Sequence, residues 1–137
     1  MMVYQNRLYG GTGTVIPRYD GGTTWTPVSD TLFGETQIHT LHVYRGQLYA
    51  GSWPTGKVMR YDGGKKWTVC GQLGIDKVRI DEVNDLTVYN GKMYAGVIPK
   101  AEVWRYEDDQ NWSRLAQLIT NPAWSVGNLA SWNRVPA

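Results

Sequence analysis

The chain has 137 residues, 42% of them hydrophobic and 12% aromatic, which is enough for one packed domain rather than a disordered segment. Its 14 basic and 12 acidic residues leave a formal charge of +2 and form no run or stripe, so the clustered positive footprint of a nucleic-acid surface is excluded. No stretch approaches the roughly 20 apolar residues of a membrane-spanning helix. Met1 to Arg7 also lacks the apolar core and basic lead of a signal peptide, so a soluble chain is expected, with its compartment left open.

In chain order, one pattern is written three times. It begins at Val3 (Val-Tyr-Gln-Asn-Arg-Leu-Tyr-Gly-Gly), Val43 (Val-Tyr-Arg-Gly-Gln-Leu-Tyr-Ala-Gly) and Val88 (Val-Tyr-Asn-Gly-Lys-Met-Tyr-Ala-Gly), and it closes at Trp25, Trp67 and Trp112. The starts are 40 and 45 residues apart, a period that marks an array of β-blades. Seven Trp and nine Tyr against one Phe favour half-buried strands, where a ring packs while its polar end reaches water.

Each copy divides into four segments, a to d. Segment a is Ile38 to Tyr44, Val83 to Tyr89 and, at the end, Val126 to Trp132; strict alternation puts Val83, Asp85, Thr87 and Tyr89 on one face and Asn84, Leu86 and Val88 on the other. It turns at Gln5-Asn6, Arg45-Gly46 and Asn90-Gly91, the last a strong signal for a type I′ hairpin. Segment b is Arg7 to Gly11, Gln47 to Gly51 and Lys92 to Gly96, and its small residues after the tyrosine predict a close approach of neighbouring sheets. Segment c is Thr14 to Tyr19, Lys57 to Tyr61 and Glu102 to Tyr106, and segment d opens at each closing tryptophan. The expected units are a first blade over about residues 1–36, a second over 37–81, a third over 82–123, and the first strand of a further blade over 124–137.

The turn between c and d carries the most specific motif: Asp20-Gly21-Gly22-Thr23-Thr24-Trp25, repeated as Asp62-Gly63-Gly64-Lys65-Lys66-Trp67. The aspartate is expected to cap the turn, the glycines to take backbone angles closed to other residues, and the tryptophan to pack beneath the hairpin. The spacing Asp-x-Gly-x-x-Trp resembles the Asp-box on β-propeller blades of sialidases and many non-enzymatic relatives, with a kelch-like period. The third copy, Glu107 to Trp112, keeps the tryptophan but has neither glycine, so its turn is expected to be built differently. The resemblance implies that Asp20, Gly22, Trp25, Asp62, Gly64, Trp67 and Trp112 are structural and lie on the face opposite a ligand site.

The expected fold is therefore all-β: four-stranded antiparallel propeller blades, three per chain, beginning inside one segment a and ending with a spare one. Propellers close with four to eight blades. Three copies therefore read either as a piece of a longer propeller or, the preferred expectation, as a unit that completes a ring by self-association, most simply a homodimer of six blades, which hides sheet edges and apolar blade faces.

Little points to catalysis. His39 and His42 are three apart on an expected strand, and alternation places them on opposite faces. Cys70 is alone, with no Cys or His at metal-ligand spacing, and no metal or cofactor is expected. Gly10-Gly11-Thr12-Gly13 reads as a shortened b–c loop, not a phosphate cradle. Arg18, Arg60 and Arg105 stand once per blade just before the segment-c tyrosine, where a sialidase resemblance suggests a carboxylate grip but regular placement favours structural ion pairs. Asp76, Asp81, Glu82 and Asp85 cluster without the partner motif that a glycosidase pair requires.

Binding is the better expectation. In a propeller the b–c and d–a connections share a rim, and non-repeated loops on a rigid scaffold are where function concentrates. The candidate ligand-binding residues are Trp53 and Thr55, then Asp76, Lys77 and Arg79, then Ile98 and Lys100, with an exposed Trp53 as a stacking or anchoring residue. The chain thus reads as a non-enzymatic propeller scaffold that assembles with itself and binds a protein or small ligand, with no nucleic-acid or membrane partner. The rival readings are a lectin-like glycan binder and a piece of an Asp-box glycoside hydrolase such as a sialidase.

Overall fold

The structure, a computed structural model, describes residues 1–73 and 81–119. These residues form twelve strands in three antiparallel four-stranded sheets, each sheet built from four consecutive strands in sequence order. Sheet 1 holds β1 (Met2–Tyr4), β2 (Arg7–Tyr9), β3 (Pro17–Gly21) and β4 (Thr24–Pro27). Sheet 2 holds β5 (Gln37–Tyr44), β6 (Gln47–Trp53), β7 (Lys57–Gly63) and β8 (Lys66–Gln72). Sheet 3 holds β9 (Glu82–Tyr89), β10 (Lys92–Ile98), β11 (Glu102–Asp108) and β12 (Asn111–Gln117). There is no helix among the described residues. The candidate loop residues Asp76, Lys77 and Arg79, and the expected strand Val126 to Trp132, lie outside the described residues.

The turns follow from local chemistry. Gln5 and Asn6, Arg45 and Gly46, and Asn90 and Gly91 all have φ between 47° and 76°, so each first hairpin has the doubly left-handed turn that matches the twist of its strands. In the two Gly-Gly turns, Gly21 and Gly63 take φ of 113° and 101°, and Gly22 and Gly64 take 56° and 58°. The third turn moves its left-handed residue one place on, to Gln110 with φ 65°. Without the glycine pair the hairpin closes with a different turn.

The sheets pack in series through two cores. Ile38, Leu41, Leu48, Met59 and Trp67 of sheet 2 meet Tyr9, Ile16 and Val28 of the first copy, whereas Tyr49, Val58 and Cys70 from the same sheet meet Val83, Leu86 and Met93 of sheet 3. Sheet 2 is thus buried on both faces, which is why β6 reads as an almost unbroken buried run.

Two bulges correct the strict alternation expected of segment a. In β5, Ile38 pairs with Ser52 and Thr40 with Gly51, skipping His39; in β9, Val83 pairs with Val97 and Asp85 with Gly96, skipping Asn84. The extra residue resets the pleat. Ile38 and Leu41 both enter the first core, and Val83 and Leu86 both enter the second, so Val83 and Leu86 do not face opposite ways. The assignment of His39 and His42 to opposite faces fails for the same reason: each follows a core residue, and both remain partly exposed.

The small residues of segment b do admit a neighbouring sheet. A Cβ at Gly51 would lie 2.6 Å from Val83 Cγ1, and one at Gly11 would lie 2.9 Å from the Ile38 carbonyl oxygen. Both neighbours belong to the first strand of the following sheet.

Candidate functional site

The β6–β7 loop is held by its backbone. Trp53 carbonyl accepts from Thr36 N at 3.0 Å, Pro54 carbonyl from Asp81 N at 2.9 Å, and Gly56 carbonyl from Leu73 N at 2.8 Å. The first of these donors precedes β5 and the second precedes β9, so the loop between the second and third strands of sheet 2 lies against the connections entering sheets 2 and 3. Gly56 is required here: φ is 64°, and a Cβ would come within 2.5 Å of the Leu73 carbonyl oxygen. The Trp53–Pro54 and Ile98–Pro99 peptides are both cis. In the β10–β11 loop, the carbonyls of Lys100 and Ala101 accept from Ile119 and Leu118 at 3.1 and 3.2 Å.

Beneath the β6–β7 loop sits a buried carboxylate that sequence reasoning missed. Glu35 is 1% exposed; its Oε2 accepts from Ser52 Oγ at 2.6 Å and Thr55 N at 3.1 Å, and its Oε1 accepts from Thr55 Oγ1 and from Lys57 Nζ at 3.1 Å. Lys57 Nζ also donates to Thr55 Oγ1 at 2.8 Å and the Phe33 carbonyl at 3.2 Å. Burial pushes the Glu35 carboxyl upward, but the hydrogen bonds from Ser52, Thr55 and Lys57 outweigh it and hold the group below its ordinary value. With four donors on two oxygens, Glu35 is a loop clamp rather than a base awaiting a substrate proton. The partner of Glu35 changes sign along the repeat: where sheet 2 has Lys57, sheet 3 has Glu102, which accepts from Trp104 Nε1 at 2.9 Å.

Each candidate rim residue has a place in this framework. Trp53 is half-buried, not exposed as expected. Thr55 is bridged to Asp81 and its hydroxyl is engaged by Glu35 and Lys57. Ile98 and Lys100 are both half-buried, with Ile98 paired to Glu82 at the end of β10.

The repeated arginines are all engaged in ion pairs, Arg18 and Arg105 within their own sheets and Arg60 also across to the next. Arg18 Nε lies 2.8 Å from Asp20 Oδ1, Arg105 Nε 2.6 Å from Glu107 Oε1, and Arg60 bridges Asp62 at 3.4 Å and Asp109 of sheet 3 at 2.6 Å. Each pairing raises the guanidinium pKa, and the hydrogen bonds from Arg18 and Arg105 hold Asp20 and Glu107 below the usual carboxylate range. The expectation that Asp20 and Asp62 cap the turn is corrected here: their carboxylates accept from strand side chains, namely Arg7, Arg18 and Thr26 for Asp20, and Arg60 and Thr68 for Asp62. The turn carbonyls of Gly22 and Gly64 instead accept from Tyr19 and Tyr61 hydroxyls at 2.9 and 2.8 Å.

The closing tryptophans act between sheets. Trp67 Nε1 donates to the Val28 carbonyl at 2.9 Å and Trp112 Nε1 to the Cys70 carbonyl at 3.1 Å, each reaching the copy before it. Among the described residues no group of three or more His, Cys, Asp or Glu is placed to hold a metal ion. His39 lies 2.9 Å from Glu82 and 2.8 Å from Gln37, an arrangement that occupies both ring nitrogens. No described helix is long and apolar enough to cross a membrane, which says nothing of β-barrels.

Fold and site together define a class, an all-β repeat chain of three four-stranded antiparallel sheets packed in series. Compared with known proteins, the chain matches no family model, and no curated sequence is significantly similar to it.

Proposed function

We propose that the chain is a non-catalytic β-propeller repeat scaffold of three Asp-box-like blades, which assembles with itself toward a ring and offers the rim around Trp53 to a protein or small ligand. The observation that carries this reading is the recurrence of one junction: the indole N–H of Trp67 and that of Trp112 both reach a carbonyl three residues after the preceding copy's tryptophan, Val28 and Cys70. Two successive junctions built alike are what a ring of blades requires. The rim is a rigid presentation surface, because the Glu35 cluster and three backbone bonds fix the β6–β7 loop against its neighbours. A scaffolding role for the boxes is favoured by their carboxylates, which are spent on ion pairs with Arg18 and Arg60.

The test is a ligand survey of the intact chain, with a glycan array and a peptide library read in parallel and a panel of fluorogenic glycosides read for turnover. Peptide or small-ligand binding that weakens on Trp53→Ala supports the scaffold. Binding confined to glycans replaces it with the lectin reading, and turnover of any glycoside with kinetics that follow enzyme concentration overturns the non-catalytic one.

A further inference from the structure

Both internal junctions are made from the same three parts. The first is the indole N–H to carbonyl bond just described. The second is a tyrosine triad: Tyr4 and Tyr9 of sheet 1 with Tyr61 of sheet 2, and Tyr44 and Tyr49 of sheet 2 with Tyr106 of sheet 3, with ring centroids 5.9–6.4 Å apart. The third is the segment-b glycine that seats the next sheet's first strand, Gly11 under Ile38 and Gly51 under Val83.

The two ends of the described array carry the separate halves of a further junction. On sheet 3, Tyr89 and Tyr94 stand 6.4 Å apart at the places of Tyr44 and Tyr49, and Tyr89 is 66% exposed where Tyr44 is 4%. Leu115, three residues after Trp112, is 49% exposed where its counterparts Val28 and Cys70 are buried. On sheet 1, Trp25 is 40% exposed where Trp67 is 8%, and it packs in a tilted pair with Tyr19 at a centroid distance of 5.0 Å. Met1, 77% exposed, lies beside Trp25 over Gly10, and Val3 is 63% exposed in the neighbouring strand. Exposed apolar rings and aliphatics on the faces that end a packed array mark surfaces built to be covered.

Resting on the reading of the chain as an assembling scaffold, we propose that a second copy of this chain covers these faces head to tail: sheet 1 of one copy packs on sheet 3 of the other, with the Trp25 indole N–H donating to the Leu115 carbonyl and Tyr19 completing the triad with Tyr89 and Tyr94. The occupant is specified by continuity, because each end supplies the half of a junction that the other end lacks and both halves already meet twice within one chain. The interface is heterologous, so it either closes a ring or propagates. Closure with two copies gives six blades and two identical new junctions.

The experiment uses the full chain and three variants, Trp25→Arg, Leu115→Arg and Trp25→Phe, each checked for native circular dichroism, with absolute mass read by light scattering over about a hundredfold concentration range. Both arginine substitutions fall at exposed positions, so two independent variants guard against a folding failure in one. The expected wild-type mass is about 31 kDa, twice the 15.5 kDa chain. Each arginine variant alone is expected to be a monomer. Mixing them restores one junction, between the intact sheet 3 of Trp25→Arg and the intact sheet 1 of Leu115→Arg, and gives an open heterodimer. Trp25→Phe keeps an aromatic side chain but not the N–H, and is expected to raise the dissociation constant of the closed dimer about a hundredfold, because one hydrogen bond to a carbonyl, at about tenfold each, is lost at both junctions.

A wild type that is monomeric throughout overturns this inference together with the self-assembly reading. A dimer that survives Trp25→Arg overturns the inference alone and leaves the scaffold reading standing. A dimer abolished by Trp25→Arg but untouched by Leu115→Arg indicates sheet 1 packing on sheet 1, and refutes the head-to-tail geometry.

Discussion

Adding one methyl group at Gly51 tests whether sheets 2 and 3 meet as described. A Cβ there would lie 2.6 Å from Val83 Cγ1, 2.7 Å from Thr40 Cγ2 and 2.9 Å from Val83 Cβ. Carbon atoms in good contact stand roughly 3.5–4.0 Å apart, so the two neighbours would have to retreat by about 1 Å. Both are β-branched and stiff at χ1, and Val83 is fully buried, so neither can rotate away cheaply. Overpacking of this kind costs about 1–3 kcal/mol. Removing the glycine's freedom in a strand returns about 0.5–1 kcal/mol. Gly51→Ala is therefore expected to destabilise the chain by about 1–2 kcal/mol. Val83→Ala alone deletes two buried methyls and leaves a cavity, for a loss of about 2–3 kcal/mol. In the double variant the new methyl enters the vacated space, so the combined loss should fall short of the sum by about 1–2 kcal/mol. Thr40→Ser relieves the other side of the clash in the same way and retains the hydroxyl. Urea unfolding at one fixed protein concentration reads all of these, since association would otherwise shift the midpoint. A neutral or stabilising Gly51→Ala, or losses that simply add, would refute the close packing of β6 against β9.

Other outcomes follow from the same structure. Trp67→Phe deletes the donor to the Val28 carbonyl at a buried junction, and is expected to cost about 1–2 kcal/mol by thermal unfolding. Glu35→Gln removes the charge facing Lys57 beneath the loop and is expected to cost about 3 kcal/mol, with faster proteolytic cleavage at Trp53 to Gly56 as a local readout. Because the folded Glu35 carboxyl is held below its ordinary value of 4.5, its contribution is complete above that pH and is lost as the pH falls through the folded value. Wild type but not Glu35→Gln should therefore show this acid-side loss in a series of unfolding curves. Burial pushes the Cys70 thiol up to about 12, so it should resist a disulfide-exchange reagent at pH 8 and react in step with unfolding; prompt reaction in the native state would contradict its burial. Asn90→Ala places a residue without a local hydrogen-bonding side chain at φ 48° and should cost about 1 kcal/mol.

What was legible in the sequence was what is local. Asn90-Gly91 and its counterparts announced their turns because φ at two residues decides the hairpin, and those residues carry the information themselves. The Gly-Gly pairs did likewise, and their loss in the third copy correctly signalled a different turn, although nothing showed that Gln110 would take the left-handed place. The bulges at His39 and Asn84 were not legible: a bulge is defined by the partner strand, and only the pairing of β5 with β6 and of β9 with β10 shows which residue is skipped. Once the pleat resets, any argument from parity fails, and the faces assigned to His39 and His42 failed with it. Glu35 escaped notice because it lies in a non-repeated connection, and its partners Ser52, Thr55 and Lys57 follow 17 to 22 residues later. The tryptophan junctions escaped notice for a different reason, that their acceptors are backbone carbonyls, which every residue has. They become readable only as a spacing, three residues past the preceding tryptophan. That same spacing assigns Trp25 and Leu115 complementary parts at opposite ends of the array. In a repeat chain, a contact between neighbours also describes what the first and last units leave open, and the head-to-tail interface proposed above rests on that period.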